Sequence, residues 1–333
     1  IEGFDASGFP TRIAAEVKGL RAEETVEDRK SLKYATPFSL FALAAAEEAL
    51  RDAGVRPTPA TAERWGLVSG SGMMTMEFDF LQRFQREFAV DGEIDVARLG
   101  AEGERFISSP EFARHRAVAG QAMMHKRYGI RGYSANLHTA CASGGQALGL
   151  AMRGVRSGQA DYVLAGGSDT LINPVGLAGF CLLGAVSTDN DRPSSASRPF
   201  DRTRNGFVVG EGAGFMVLED WHRARDRGAK IYAEFAGEGN SLSSYRITDA
   251  PPSGDGPIQA IRGALADAGE TVDAIDYVNA HGTSTPMNDL SETNAIKAVF
   301  GDRAHDLVVS STKSQMGHLI AAAGAVEGII CVL

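Results

Sequence analysis

The sequence predicts an α/β fold in which buried, largely parallel strands are covered by helices. Two observations point there. From residue 134 onward, short apolar runs alternate with longer helical patterns. The helical patterns at 39–53 and 257–268 stop at Gly54 and Gly269, as helices do when a glycine takes the left-handed cap.

Taken in order, residues 39–53 (SLFALAAAEEALRDA) form an amphipathic pattern, and 65–69 read as a short buried strand followed by the loop 70–72. Residues 76–116 mix aromatics and charges and read as helical excursions that cap something. A strand at 134–139 precedes a helix at 145–156, and the strand 162–165 ends in Gly166-Gly167. Runs 207–210 and 215–219 are two strands joined by Glu-Gly-Ala-Gly. Strands at 277–280 and 308–311 then alternate with helices at 257–268, 290–300 and from 321 to the end. The proline-rich segment 193–199 reads as a loop within the fold, and no short-period repeat or low-complexity linker divides the chain.

Composition narrows the function classes. At 333 residues, 44% hydrophobic and 23% charged, the chain has the make-up of a soluble globular protein. No apolar run approaches the roughly 20 residues that span a bilayer. Residues 1–16 mix charge, Gly and Pro, unlike a signal peptide. Three cysteines without a CxxC pair fit a reducing cytoplasm. A net charge of -9 argues against a broad nucleic-acid footprint, and an acidic partner would need a local basic patch.

Three reactive residue types fall at three strand-to-helix turns. Cys141 sits in TACASGG, where a helix N-terminus favours thiolate and the glycines allow close approach of a ligand. His281 sits in AHGTSTP and His318 in KSQMGH, each just past a strand. Ligand sites in open α/β sheets gather at the carboxyl ends of strands, which sets this constellation above its single members. Cys181 and Cys331, among Phe, Leu, Ile and Val, read as inert, and His115, His125, His222 and His305 as surface or satisfied core residues. The segment Gly210-Glu-Gly-Ala-Gly214 imitates a nucleotide loop, but a strand follows it where a helix is required. The seven histidines show no metal-ligand spacing, so no metal is expected.

The blocks TACASGG, SRPFDRTRNGFVVGEGAG, NAHGTSTP and KSQMGHLIAAAGAVE resemble, in order and spacing, the signatures of the β-ketoacyl synthases, notably the elongating type II fatty-acid enzymes. The resemblance runs from about Gly129 to the end. It implies a thiolase-like fold of two related α/β halves in a layered α-β-α-β-α arrangement. The halves would be 1–225, with a capping excursion at about 73–120, and an incomplete 226–333. It implies decarboxylative Claisen condensation of an acyl thioester on Cys141 with a malonyl thioester held by His281 and His318, organised by Lys313, with Glu327 on the following helix. Thr283 and Thr285 would contact pantetheine, Phe180 would border the acyl pocket, and Thr248 would be a further substrate contact. No cofactor is implied beyond the phosphopantetheine of an acyl carrier protein. The partner would be that carrier, within a homodimer or a heterodimer with a related subunit, and neither nucleic acid nor membrane.

Some features depart from the family's pattern. The opening strand and its Gly-rich turn do not precede Ile1, and no Gly-Phe-Gly-Gly-type loop follows Leu333, so a longer native protein is expected. The 76–116 stretch exceeds the usual length. Gly184 stands where some fatty-acid relatives carry a docking arginine, a charge that Arg192, Arg198, Arg202 and Arg204 could supply instead. A polyketide or polyene ketosynthase is the alternative. An inert chain-length-factor-like subunit is disfavoured by Cys141, and a degradative thiolase by the HGTSTP and GH pair.

Overall fold

The structure is a computed structural model, and it describes residues 1–26, 28–72, 76–246, 248 and 250–333. Helix α1 (Pro37–Ala53) begins where the Thr36 amide donates to Ser39 Oγ at 2.8 Å and ends on Gly54 with φ 64°. Strand β1 (Trp65–Ser71) is buried along its whole length and forms the centre of a four-stranded sheet. Its neighbours are β2 (Ser134–Leu137) and β3 (Tyr162–Asp169), both parallel to it. Strand β4 (Gly212–Glu219) closes the sheet antiparallel to β3, so the order is β2-β1-β3-β4 and one pairing departs from the parallel pattern expected.

Helices cover both faces. On one lie α1 and α2 (Ala119–Tyr128), packed over Trp65, Leu67, Leu164 and Phe215, with Trp65 stacked on Tyr162 at 4.7 Å. On the other lies α3 (Ser143–Arg156), against Val68, Val163 and Ala165. Beyond it, α4 (Asp255–Ala268) and α5 (Pro286–Phe300) pack on a second sheet, in which β5 (Tyr277–Asn279) runs parallel to β6 (Val308–Ser310). Helix α6 (Ala323–Val332) packs against α3 and β4. The layers alternate helix, sheet, helix, sheet, helix.

The run expected as a strand at 207–210 is a strand only at Val209–Gly210, with Phe207 adding a single parallel bridge to Val186. Val209–Gly210 joins Ala14–Ala15 on one side, while His318 bridges Val209 on the other. The excursion consists of helices Phe78–Phe88 and Val96–Phe106 around a short hairpin, then a further helix at Ser109–Arg114. Phe80, Phe84, Phe88 and Phe106 form its own aromatic core. Residues 73–75, at the excursion's root, lie outside the described residues.

Candidate active site

The three reactive residues meet. The thiol and imidazole donor atoms of Cys141, His281 and His318 all lie within 4.8 Å of one another. Cys141 and His281 come from turns just past the carboxyl ends of β2 and β5, and His318 follows the one-turn helix Lys313–Met316 beyond β6. Ala140 takes a left-handed φ of 50° to swing Cys141 into place, and Ser143 Oγ caps the turn by accepting the Thr139 amide and donating to the Ala140 carbonyl, both at 2.8 Å. His318 is fixed by its backbone. Its amide donates to the Val208 carbonyl at 2.8 Å, and its carbonyl accepts the Gly210 amide at 2.9 Å. The first glycine of the apparent nucleotide loop, with Val208 before it, therefore seats a histidine.

His318 Nε2 lies 3.1 Å from Cys141 Sγ, and its Nδ1 accepts the Ile320 backbone amide at 3.2 Å. A neutral imidazole with Nδ1 accepting carries its hydrogen on Nε2. The ring is therefore a donor aimed at the sulfur. The rings of His281 and His318 meet edge to face at 5.2 Å, and Phe207 borders His318 in the same way at 5.2 Å. Phe180, half-buried, packs edge-on against Phe207 at 5.3 Å, which places it one aromatic layer from the centre.

Burial dominates the electrostatics. It drives His281 down to about 3, with Lys313 adding to the effect. It drives His318 well below the ordinary imidazole value, helped by His281 and Lys313. Both rings are neutral at any physiological pH. Burial also pushes the Cys141 thiol up to about 11, against the opposing pull of the Lys313 charge. Desolvation thus opposes the thiolate that the helix N-terminus favours. Lys313 is fully buried and pairs with Glu327, whose carboxyl burial raises while Lys313 opposes the rise.

A thiol and two imidazoles are donor types that suit a soft metal. Lying 140 and 37 residues apart, they give no metal-ligand spacing in the sequence. The Ile320 amide makes the fit poor, because His318 presents a hydrogen rather than a lone pair to the centre. The Lys313 charge further disfavours a cation there.

The sequence reading missed the groups that shape the His281 turn. Glu292 accepts the amides of His281 and Gly282, each at 2.7 Å. Asp289, one turn earlier on α5, accepts those of Phe200 at 2.7 Å and Ser284 at 3.2 Å, both residues being left-handed. Their i, i+3 spacing just after HGTSTP was the available signal. Thr283 and Thr285 join hydroxyls at 2.8 Å on the same turn, and Thr285 Oγ1 caps α5 by accepting the Asn288 amide at 3.4 Å. Thr248 is exposed, and no hydrogen bond ties it to the centre among the described residues.

Residues 5–224 match the family model for the β-ketoacyl synthase N-terminal domain, and 232–333 that for the C-terminal domain. The 3-oxoacyl-[acyl-carrier-protein] synthase 2 of Coxiella burnetii is 40% identical over 334 residues, covering 100% of this chain and 77% of the relative. That of Vibrio cholerae is 40% identical over 337 residues with the same coverage. Among solved structures, a type II polyketide ketosynthase in complex with its acyl-carrier protein (AntDE:AntF) superposes with a TM-score of 0.84 at 32% identity, covering 98% of this chain and 76% of that one.

Proposed function

Because the chain belongs to the β-ketoacyl synthase family, we propose that it is a 3-oxoacyl-[acyl-carrier-protein] synthase that elongates fatty acids by decarboxylative condensation. The observation that carries this reading is the His318 imidazole, held as an Nε2–H donor 3.1 Å from the Cys141 sulfur. In the first half-reaction Sγ attacks an acyl thioester, the carrier thiol leaves with the proton, and the acyl group rests on Cys141. In the second, the malonyl thioester loses carbon dioxide. The electron pair of the broken bond forms an enolate whose oxygen takes hydrogen bonds from His318 and His281. Its carbon attacks the acyl carbonyl and expels the Cys141 thiolate. Neutral imidazoles suit this role because they donate without surrendering their protons, as oxyanion-hole donors do.

Lys313 and Glu327 set the electrostatics behind the two rings: burial holds both imidazoles neutral, the lysine charge adds to that effect, and the carboxylate compensates the lysine. Thr283 and Thr285 border the pantetheine arm, and Phe180 the acyl chain. The substrates ride on the phosphopantetheine of an acyl carrier protein, and the enzyme needs no other cofactor. It works in the cytoplasm as a homodimer. No helix among the described residues is long and apolar enough to cross a membrane.

The test is mass spectrometry of Cys141 after incubation with a panel of acyl-carrier thioesters, followed by addition of malonyl-carrier protein. An acyl adduct that disappears as 3-oxoacyl-carrier appears supports the reading. No adduct from any acyl donor overturns it. The likeness to a polyketide ketosynthase favours a second reading, assembly of polyketides or polyenes, in which the 3-oxo product would be extended again without reduction.

A further inference from the structure

One buried carboxylate takes no part in the chemistry above. Asp169 ends strand β3 with only 2% of its surface exposed. It accepts the Ala321 backbone amide at 3.0 Å through Oδ2 and its neighbour Thr170's at 2.8 Å through Oδ1, and no cation pairs with it among the described residues. A carboxylate so placed is costly to keep charged, and burial pushes it up to about 6. Backbone encloses it: a Cβ placed on Gly72 would fall 2.0 Å from Oδ1.

The partner of this carboxylate is informative. Ala321 directly follows Ile320, whose amide fixes the tautomer of His318 and whose φ of 45° is left-handed. The Ala321 carbonyl lies against the nucleophile's own helix, where a Cβ on Gly144 would come within 2.8 Å of it. A Cβ on Gly167, in β3, would come within 2.7 Å. The turn from His318 to Ala321 therefore rests on bare backbone, which gives closeness but no direction. The hydrogen bond from Ala321 to Asp169 supplies the direction.

We propose that Asp169 is a positioning residue for the condensation, holding the His318–Ile320 turn in register with Cys141 through the Ala321 amide. The proposal rests on the condensing reading of the site. Loss of the tie lets the Ile320 amide move, and with it the ring orientation and tautomer of His318. The step that uses His318 as a donor, decarboxylation of the malonyl thioester, then suffers. Transfer of an acyl group to Cys141 suffers less.

The experiment measures the two half-reactions separately on full-length protein. The readouts are release of carbon dioxide from malonyl-carrier protein and acylation of Cys141 by the best acyl-carrier donor. Asp169→Ala should slow decarboxylation tenfold or more and leave acylation within about threefold of wild type. Asp169→Asn, whose amide oxygen can still accept from Ala321, should restore decarboxylation to within about threefold. Should the alanine variant fail to fold, the asparagine variant decides alone: a folded Asp169→Asn protein with decarboxylation lost tenfold sinks the proposal. So does a folded Asp169→Ala protein that decarboxylates normally or loses both half-reactions equally. Wild-type protein that performs neither half-reaction overturns the condensing reading itself, a distinct outcome.

Discussion

Cys141 and His318, 177 residues apart in the chain, face each other at 3.1 Å with the imidazole proton directed at the sulfur. The arrangement separates two tasks. In the proposed reaction the thiol carries the acyl group, while the ring stabilises charge on a second substrate. Substitutions at the two residues should therefore fail at different steps.

His318→Ala should slow malonyl decarboxylation by roughly 10²–10³-fold, the usual cost of one lost oxyanion donor. Acylation of Cys141 should persist. Cys141→Ala should do the reverse, abolishing acylation with decarboxylation still measurable. Single-turnover assays of each half-reaction check both. Normal condensation by Cys141→Ala would remove the sulfur from the mechanism.

The thiol's reactivity should climb steeply with pH. A group raised to about 11 is almost wholly protonated at pH 7, so its thiolate fraction grows about tenfold per pH unit until the titration is reached. Alkylation of Cys141 by iodoacetamide, followed from pH 7 to 10, should show that slope with no plateau. A plateau near neutrality would mean that the helix N-terminus outweighs burial after all. The histidines should add no inflection above pH 5, since both are neutral there.

Lys313→Met should destabilise the fold by about 3–5 kcal/mol, because it strands the Glu327 carboxylate without its cation. Removing both charges in Lys313→Met with Glu327→Gln should recover much of that loss. Denaturant midpoints across the four proteins of the cycle give the coupling. Additive losses would show that the two groups do not act as a pair.

Gly144→Ala tests the contact between the two helices. The added methyl would lie 2.8 Å from the Ala321 carbonyl and 2.9 Å from the Ala325 amide, both backbone atoms that cannot swing aside. Overpacking of that kind typically costs about 1–3 kcal/mol. The variant should melt earlier and decarboxylate more slowly, whereas Gly145→Ala, whose methyl meets nothing within 4 Å, should tolerate the change better.

Much of this was legible in the sequence, for a definable reason. Cys141, His281 and His318 each follow a strand and precede a helix, and parallel α/β packing sends such turns to one end of the layers. Local pattern alone could not show what the turns rest on. The segment FVVG reads as a strand, yet nothing in it says that Val209 and Gly210 will cradle His318. Asp169 looks like a polar strand end, and its partner Ala321 lies 152 residues away. The helix N-terminus beside Cys141 is visible locally, but the desolvation of its thiol depends on neighbours supplied by distant segments. In the excursion, Phe80, Phe84 and Phe88 fall on one helical stripe, but Phe106, which completes their cluster, belongs to another helix.

The separation of Cys141 from His318 also has a temporal side. A ribosome makes residue 141 long before residue 318, and N-terminal segments of large proteins generally begin to fold first. A nascent chain can thus complete β1, β2, β3 and α3, presenting the nucleophile while its hydrogen-bond donor is still unmade. The Cys141–His318 approach therefore exists only once the His318–Ala321 turn packs against the bare backbone of Gly144 and Gly167, so in a growing chain the pair is among the last contacts to form.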